Sequence, residues 1–261
     1  MSDWLHNLPV VWMALVVFSA TYIIAALTYA GVSLLAIGER ARAFKAVSPG
    51  MLPPLGILFA LFVAFTAAQV WNDTDKANAA VLREAGALRA VVMLAASFPG
   101  EPESQLRNLV RRYIEAAATQ EWPMMARRAA TLTINPPALA EALQLTLGLE
   151  PGSRGQGNAQ REIVTALENA LEARRQRIIV SLSQVNLVKW LCLAVQAICM
   201  LIAVAMVHSD NRRAVAITMG LFASGVAVSV FLILAHDRPF TGEISVAPDP
   251  LLQVLPEGKT G

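Results

Sequence analysis

The amino-acid sequence predicts an all-α integral membrane protein with four transmembrane helices and an extramembrane helical bundle inserted between the second and third. Hydrophobic residues make up 56% of the chain and charged residues 15%, whereas soluble domains have about 25% charged residues. Four apolar runs occur, and a more polar stretch with helical periodicity separates the second run from the third. Lipid offers no partner to unpaired backbone groups, so spans of this kind are predicted to be helices.

Each apolar run is long enough to cross a bilayer, which requires about 20 residues. The first run is preceded by Asp3 and by no Lys or Arg, and it is about twice the length of a signal-peptide core, so we expect an anchor. The predicted spans are residues 8–37, 53–71, 185–207 and 214–235. The resulting domains are 1–71 with two spans, 72–184 as the inserted bundle, 185–236 with two spans, and an extended Pro-rich tail, 237–261.

Apolar residues in the inserted domain recur at intervals of three and four, the periodicity of one helix face. Two long helices are expected to continue out of the membrane, one from the second span and one into the third. Shorter helices should bridge them and complete a bundle. The predicted elements are a continuation of the second span to Phe98, helices over 102–120 and 135–148, a loop over 150–158, and a helix from Ala159 into the third span.

Sidedness follows from the charges of the short loops. Four spans place both termini and the inserted domain on the same side, and the two short loops on the other. The loop cations are Arg40, Arg42, Lys45, Arg212 and Arg213. Positively charged short loops favour the cytoplasmic side, so the inserted domain is predicted to be external.

Catalytic and metal-binding patterns are absent from the sequence, and neither an enzyme nor a cofactor is predicted. His6, His208 and His236 lie near membrane boundaries without ligand-like spacing. The sequence contains no HExxH, nucleophile elbow or phosphate-binding glycine loop. The formal charge of +2 is too small to suggest nucleic-acid binding.

The third span carries an unusual polar face. Lys189, Cys192, Gln196 and Cys199 recur at three and four residues and share one side of the helix. An amide near mid-span should face protein or water because facing lipid is costly. One interpretation is an interhelical hydrogen bond, and the other is a conduit lining in which Lys189 favours anions.

Glu84 and Arg174 are candidates for a structural ion pair in the inserted bundle. Glu84 lies at the edge of the apolar stripe that contains Val81 and Leu88, and Arg174 lies between Leu171 and Ile178. Both belong to helices that are expected to leave the membrane, and they lie at similar distances from it. We therefore predict that the two side chains meet as a partly buried pair.

Several short motifs carry a resemblance to a known family. They are Arg83-Glu84-Ala85, Tyr113, Glu121-Trp122-Pro123, the tail motif Asp237-Arg238-Pro239-Phe240, and Pro248-Asp249-Pro250. The chain resembles the bestrophin-like domain-of-unknown-function family, integral membrane proteins of bacteria and plants. The resemblance implies a multi-pass protein of a bacterial inner (plasma) membrane, similar to the pentameric bestrophin anion channels. Bestrophins keep their helical domain in the cytosol, which opposes the loop-charge prediction.

Two functions remain open on the sequence. The first is an oligomeric ion channel that conducts small anions, with Lys189 and Gln196 lining a conduit between copies of the chain in the lipid bilayer. The second is a non-transporting membrane scaffold or sensor that acts through the helical domain. The apolar tail is expected to pack along the inserted bundle or against a neighbouring subunit.

Overall fold

The computed structural model describes residues 3–36, 44, 49–133, 135–207 and 211–255. Arg40, Arg42, Lys45 and His208, which entered the sequence predictions, lie outside the described residues.

The chain forms two compact units. The membrane unit comprises Met1–Asn72 and Gln184–Arg238, and the helical unit comprises Asp73–Ser183 and Pro239–Gly261. No β-strand occurs within the part of the chain that the structure describes. In chain order the α-helices are α1 (Asp3–His6), α2 (Val10–Leu35), α3 (Leu52–Ala95), α4 (Glu101–Ala116), α5 (Trp122–Ala126), α6 (Pro137–Leu147), α7 (Arg154–Ser181), α8 (Leu187–Val207), α9 (Arg212–His236) and α10 (Asp249–Leu252).

Four of the described helices are long and apolar enough to cross a membrane, which confirms the four predicted spans. They are α2, α3 with the turn that precedes it, α8 and α9. Helix α3 is a single helix of 44 residues, so the predicted continuation of the second span is confirmed.

The membrane unit packs through small and branched apolar side chains. Ala25 of α2, Leu201 of α8 and Ala223 of α9 are buried in one cluster. The hydroxyls of Tyr22 and Ser224 form a 2.7 Å hydrogen bond between α2 and α9. Lipid tails are as apolar as these side chains, so close packing and such hydrogen bonds hold the helices together.

The helical unit has its own apolar core, to which α3, α4, α6 and α7 contribute fully buried residues. Leu88 of α3, Val110 of α4, Leu139 of α6 and Leu167 of α7 are fully buried there. Three of these lie on the apolar faces that the sequence periodicity predicted, at positions 88, 110 and 167. The predicted bundle is therefore confirmed.

The prediction that one unbroken helix runs from the inserted domain into the third span is wrong. Helix α7 ends at Ser181, and a separate helix, α8, begins at Leu187. The backbone N–H of Val185 donates to the Asp237 carboxylate at 2.6 Å. The Asn186 side chain accepts from the N–H three residues later at 2.9 Å, as helix N-caps do. These two acceptors satisfy amides that an unbroken helix would have bonded internally.

The predicted loop over 150–158 is shorter than expected, because α7 begins at Arg154. The Ser153 hydroxyl accepts a hydrogen bond from the N–H of Gln156 at 3.2 Å and caps the helix. Gly155 and Gly157 therefore lie in the first turns of a helix, although glycine is a poor helix former.

The helix predicted over 102–120 continues further than expected. After α4 the chain makes a π-helical turn, Ala117–Glu121, and then enters α5. Pro123 lies in the first turn of α5, where the missing amide hydrogen of proline costs least. The π turn, which is wider than an α-helical turn, thus connects α4 directly to α5.

The tail packs on the helical unit, as expected, but it is not extended throughout. Phe240, Val246, Leu251 and Val254 are buried in the core of the helical unit. The Val246 N–H donates to the Pro239 carbonyl at 2.7 Å, and α10 follows.

Candidate functional site

The polar face of α8 lies in the membrane unit. Lys189 is half-buried, and its ammonium donates a hydrogen bond to the side-chain oxygen of Gln69 on α3. Cys192 and Cys199, on the same side of the helix, are exposed free thiols. Much of this face is therefore not covered by the other helices of its own unit.

Gln196 lies near the middle of α8 and is half-buried. Its side-chain oxygen is buried without a hydrogen-bond partner among the described residues. The interhelical hydrogen bond that one interpretation assigned to this amide is thus not formed by that oxygen within the described part of a single chain. An unpaired amide in an apolar environment is costly, so this group calls for an explanation.

A buried charge cluster lies in the helical unit, centred on Arg177 of α7. Its guanidinium donates two hydrogen bonds to the Glu84 carboxylate of α3, at 2.7 and 2.9 Å. The Arg177 and Glu84 side chains are both 0% exposed. A bidentate Arg–carboxylate pair of this kind is the strong form of a protein hydrogen bond.

The sequence prediction paired Glu84 with the wrong arginine. Glu84 pairs with Arg177, whereas Arg174 donates to the Glu121 carboxylate at 2.7 and 2.8 Å. The second oxygen of Glu121 accepts from Arg177 at 2.9 Å. Both candidates are thus in buried ion pairs, but a four-residue cluster with two positive and two negative groups replaces the predicted pair.

Two aromatic side chains complete the cluster. The Tyr113 hydroxyl donates to the Glu84 carboxylate, and the Trp122 ring lies 4.5 Å below the Arg177 guanidinium carbon. Burial raises the pKa of Tyr113 well above its ordinary value, and the charge of Glu84 raises it further. Burial alone would lower the pKa of Arg177, but Glu84 outweighs burial, so this pKa is raised and the guanidinium stays charged.

The tail motif divides between the two units. In the membrane unit, Asp237 and Arg238 are buried, and the Asp237 carboxylate lies 3.2 Å from the His6 ring nitrogen. In the helical unit, Phe240 packs edge-on against Trp122 with ring centroids 5.8 Å apart, and the Trp122 indole donates to the Val246 carbonyl at 2.9 Å. Phe240 and Val246 thus fix the tail against α5.

The sequence analysis did not identify Arg177, Glu121 and Asp237 as residues that form buried ion pairs or hydrogen bonds. Arg177 follows Arg174 by three residues and shares its helix face, a signal that could have been weighed. Glu121 and Asp237 belong to the motifs that carry the family resemblance. The arginine partners of Glu121 are 53 and 56 residues away in sequence, and the amide that Asp237 accepts from is 52 residues away. No helical period can identify contacts at such separations.

Metal binding finds no support in the described residues, among which no group of three or more His, Cys, Asp or Glu side chains could hold an ion. His6 is engaged with Asp237, and His236 contacts the Leu232 carbonyl at 3.0 Å.

The four spans, the helical core and the absence of strands among the described residues define an all-α, multi-pass integral membrane protein. The family model described as the bestrophin-like domain matches residues 19–251. The chain therefore belongs to the bestrophin-like family. No curated protein matches it significantly in sequence.

Solved structures share the fold at low sequence identity. A substituted variant of a bacterial bestrophin homologue from Klebsiella pneumoniae is 11% identical, with 93% of this chain and 97% of that chain covered and a TM-score of 0.70. Another variant of that homologue is 15% identical over 93% and 94% of the two chains, with a TM-score of 0.65. A crystal structure described as a membrane protein is 13% identical over 92% and 100%, with a TM-score of 0.70.

Proposed function

We propose that this protein is an oligomeric membrane channel for small anions, with the polar face of α8 lining a conduit between copies of the chain. The observation that carries the proposal is Gln196, an amide in the middle of a membrane helix whose oxygen has no partner within the described residues of one chain. The half-buried Gln196 side chain lies on the same side of α8 as the exposed thiols of Cys192 and Cys199, a face that water or a second copy of the chain can reach. Membership of the bestrophin-like family and the fold shared with a bacterial bestrophin homologue support a channel.

A conduit of this kind would require an oligomer. Four packed helices from one chain leave no room for an aqueous pore, so a conduit needs several copies around an axis. Exposed small residues on α3, Ala60, Ala64 and Ala68, would allow a second copy to approach closely. Symmetric association would then repeat Lys189 as a ring of positive charge, which favours anions by its field.

The direct test combines mass and flux. Purified protein in detergent should have the mass of a homo-oligomer, and vesicles containing it should release chloride when a gradient is applied. The matched variant Gln196→Leu should retain the oligomer and lower the flux, whereas the exposed α9 variant Ile217→Leu should change neither. A monomer, or a folded oligomer without flux, would refute the channel and favour the scaffold or sensor.

The proposed orientation places the helical unit and both termini outside the cell, as the loop charges predict. Cys192 and Cys199 are first replaced by serine, and a single cysteine is placed at exposed Glu150 or, as the reciprocal control, at exposed Arg212. We expect an impermeant thiol reagent to label the Glu150→Cys protein in intact cells and the Arg212→Cys protein only after lysis. The opposite pattern would place the helical unit in the cytosol.

A further inference from the structure

A cavity of about 320 Å³ opens in the helical unit. Its walls come from α4, the π turn, the segment that precedes α6, the start of α6, and α7. This volume lies at the small end of the range for ligand pockets in proteins. None of the residues that line it belongs to α8, whose polar face carries the conduction proposed above.

Most of the surface inside the cavity is apolar, although Glu121 and Arg174 also line it, and its rim is polar. Ala117, Ala138 and Ile178 are buried and line the inner wall. Arg112 and Gln120 line the cavity and are exposed, with the Arg112 side chain 52% accessible. A molecule with an apolar body and one polar end would match this arrangement.

The cavity is held open by rigid backbone and by small side chains. The π turn Ala117–Glu121 forms one wall, and single π turns occur frequently at functional sites. Pro136 and Pro137 also line the cavity, and their rings restrict the backbone there. Alanines line the cavity at positions where larger apolar residues would fill the space.

The charged side chains at the cavity indicate which polar group of a ligand would bind there. The Glu121 carboxylate lines the cavity, but both its oxygens already accept from Arg174 and Arg177. Arg112 pairs with Glu141 at 3.1 Å, and both side chains are about half exposed. An exposed pair of this kind contributes little, so Arg112 can exchange Glu141 for a ligand carboxylate at small cost.

We propose that this cavity binds a small amphipathic carboxylate, with its carboxylate on Arg112 and Gln120 and its apolar body against the alanine-rich wall. An anionic end is assigned because the exposed charge at the rim is a guanidinium, which recognises carboxylates in a bidentate manner. Neutral analogues of the same shape would bury the same apolar surface and lose this contact.

The test is calorimetric titration of the full-length protein in detergent with phenylacetate, benzoate and isovalerate, each compared with its neutral amide. We expect at least one carboxylate to saturate one site per chain near 1 mM, and its amide to bind about tenfold more weakly. Arg112→Gln should weaken the carboxylate about tenfold and leave the amide unchanged. Arg107→Gln, on the same helix and also ion-paired, is the matched control and should change neither.

A second variant tests the apolar wall. Ala116 is half-buried and lines the cavity, so Ala116→Leu should fill it and abolish binding of both ligand types, while an unchanged melting temperature shows that the variant folds. The proposal is overturned if no carboxylate saturates, if an amide binds as tightly as its acid, or if Arg112→Gln or Ala116→Leu leaves the carboxylate affinity unchanged.

Discussion

The charge cluster of the helical unit and the Gln196 amide of the membrane unit differ in how their buried polar atoms are satisfied. In the helical unit, Glu84 and Glu121 share the guanidiniums of Arg174 and Arg177, and charges balance within the cluster. In the membrane unit, the buried oxygen of Gln196 has no partner among the described residues. The first arrangement is explained by folding, because its groups stabilise one another. The second is not, which is why we assign it to function.

Removing the centre of the charge cluster should have the largest effect. Arg177→Met leaves the fully buried Glu84 carboxylate without its counter-ion, and we expect a loss of about 3–5 kcal/mol of unfolding free energy. The measurement is denaturant unfolding followed by circular dichroism. Arg175→Met, at a position 63% exposed on the same helix, is the control and should change stability by less than about 0.5 kcal/mol.

The double variant Glu84→Gln/Arg177→Met sharpens this result, because it removes both charges. It should be more stable than Arg177→Met alone, since no uncompensated carboxylate remains at position 84. A double variant that is as unstable as the single one would show that packing, and not charge pairing, dominates this site.

Tyr113→Phe should have a smaller effect with a characteristic pH dependence. Loss of the hydrogen bond to Glu84 should cost about 1.5 kcal/mol at neutral pH. The folded-state pKa of Tyr113 is raised, so its contribution is complete below the unfolded-state value of about 10 and declines as the pH rises above it. Unfolding free energies measured from pH 7 to 11 should therefore converge between wild type and Tyr113→Phe.

The control for this prediction is Ser104→Ala, which removes an exposed hydroxyl of the helical unit. The alkaline loss of stability of this variant should parallel that of the wild type. If the difference between wild type and Tyr113→Phe stays constant up to pH 11, the buried hydroxyl does not titrate as proposed.

The smallest stability effect is expected in the membrane unit. Gln196→Leu removes an amide whose oxygen has no partner in the described residues. The unfolding free energy of the variant should therefore differ from that of the wild type by no more than roughly 0.6 kcal/mol, the value of an average interhelical hydrogen bond. Detergent unfolding assays measure this change. A loss as large as that of Arg177→Met would mean that Gln196 is structural and would remove the contrast between the two units.

Much of the fold could be predicted because the bilayer imposes strong constraints on the sequence. Runs of about 20 apolar residues must be helices, and apolar periodicity identified the buried faces around Leu88, Val110 and Leu167. The break before α8 could not be predicted, because Asp237, 52 residues away, accepts the Val185 amide.

The candidate sites were harder to predict, because they depend on which neighbours meet. Periodicity correctly placed Glu84 and Arg174 near the core, but it could not choose between arginines three residues apart on one face. The third-span face at Lys189 and Gln196 could be recognised, since polar residues are conspicuous in an apolar run. The contact of Lys189 with Gln69 joins two helices whose relative rotation the sequence does not define.

The central claim, that the polar face of α8 lines an anion conduit, is tested most directly by reversal potentials of the purified oligomer in planar bilayers under a chloride gradient. Wild type should be anion-selective, Lys189→Gln less so, and Lys189→Glu should shift the reversal potential toward cation selectivity. Arg154→Glu, the same change of charge at an exposed position of the helical unit, is the control and should retain the wild-type value. A reversal potential that is identical in all four folded proteins would contradict the claim.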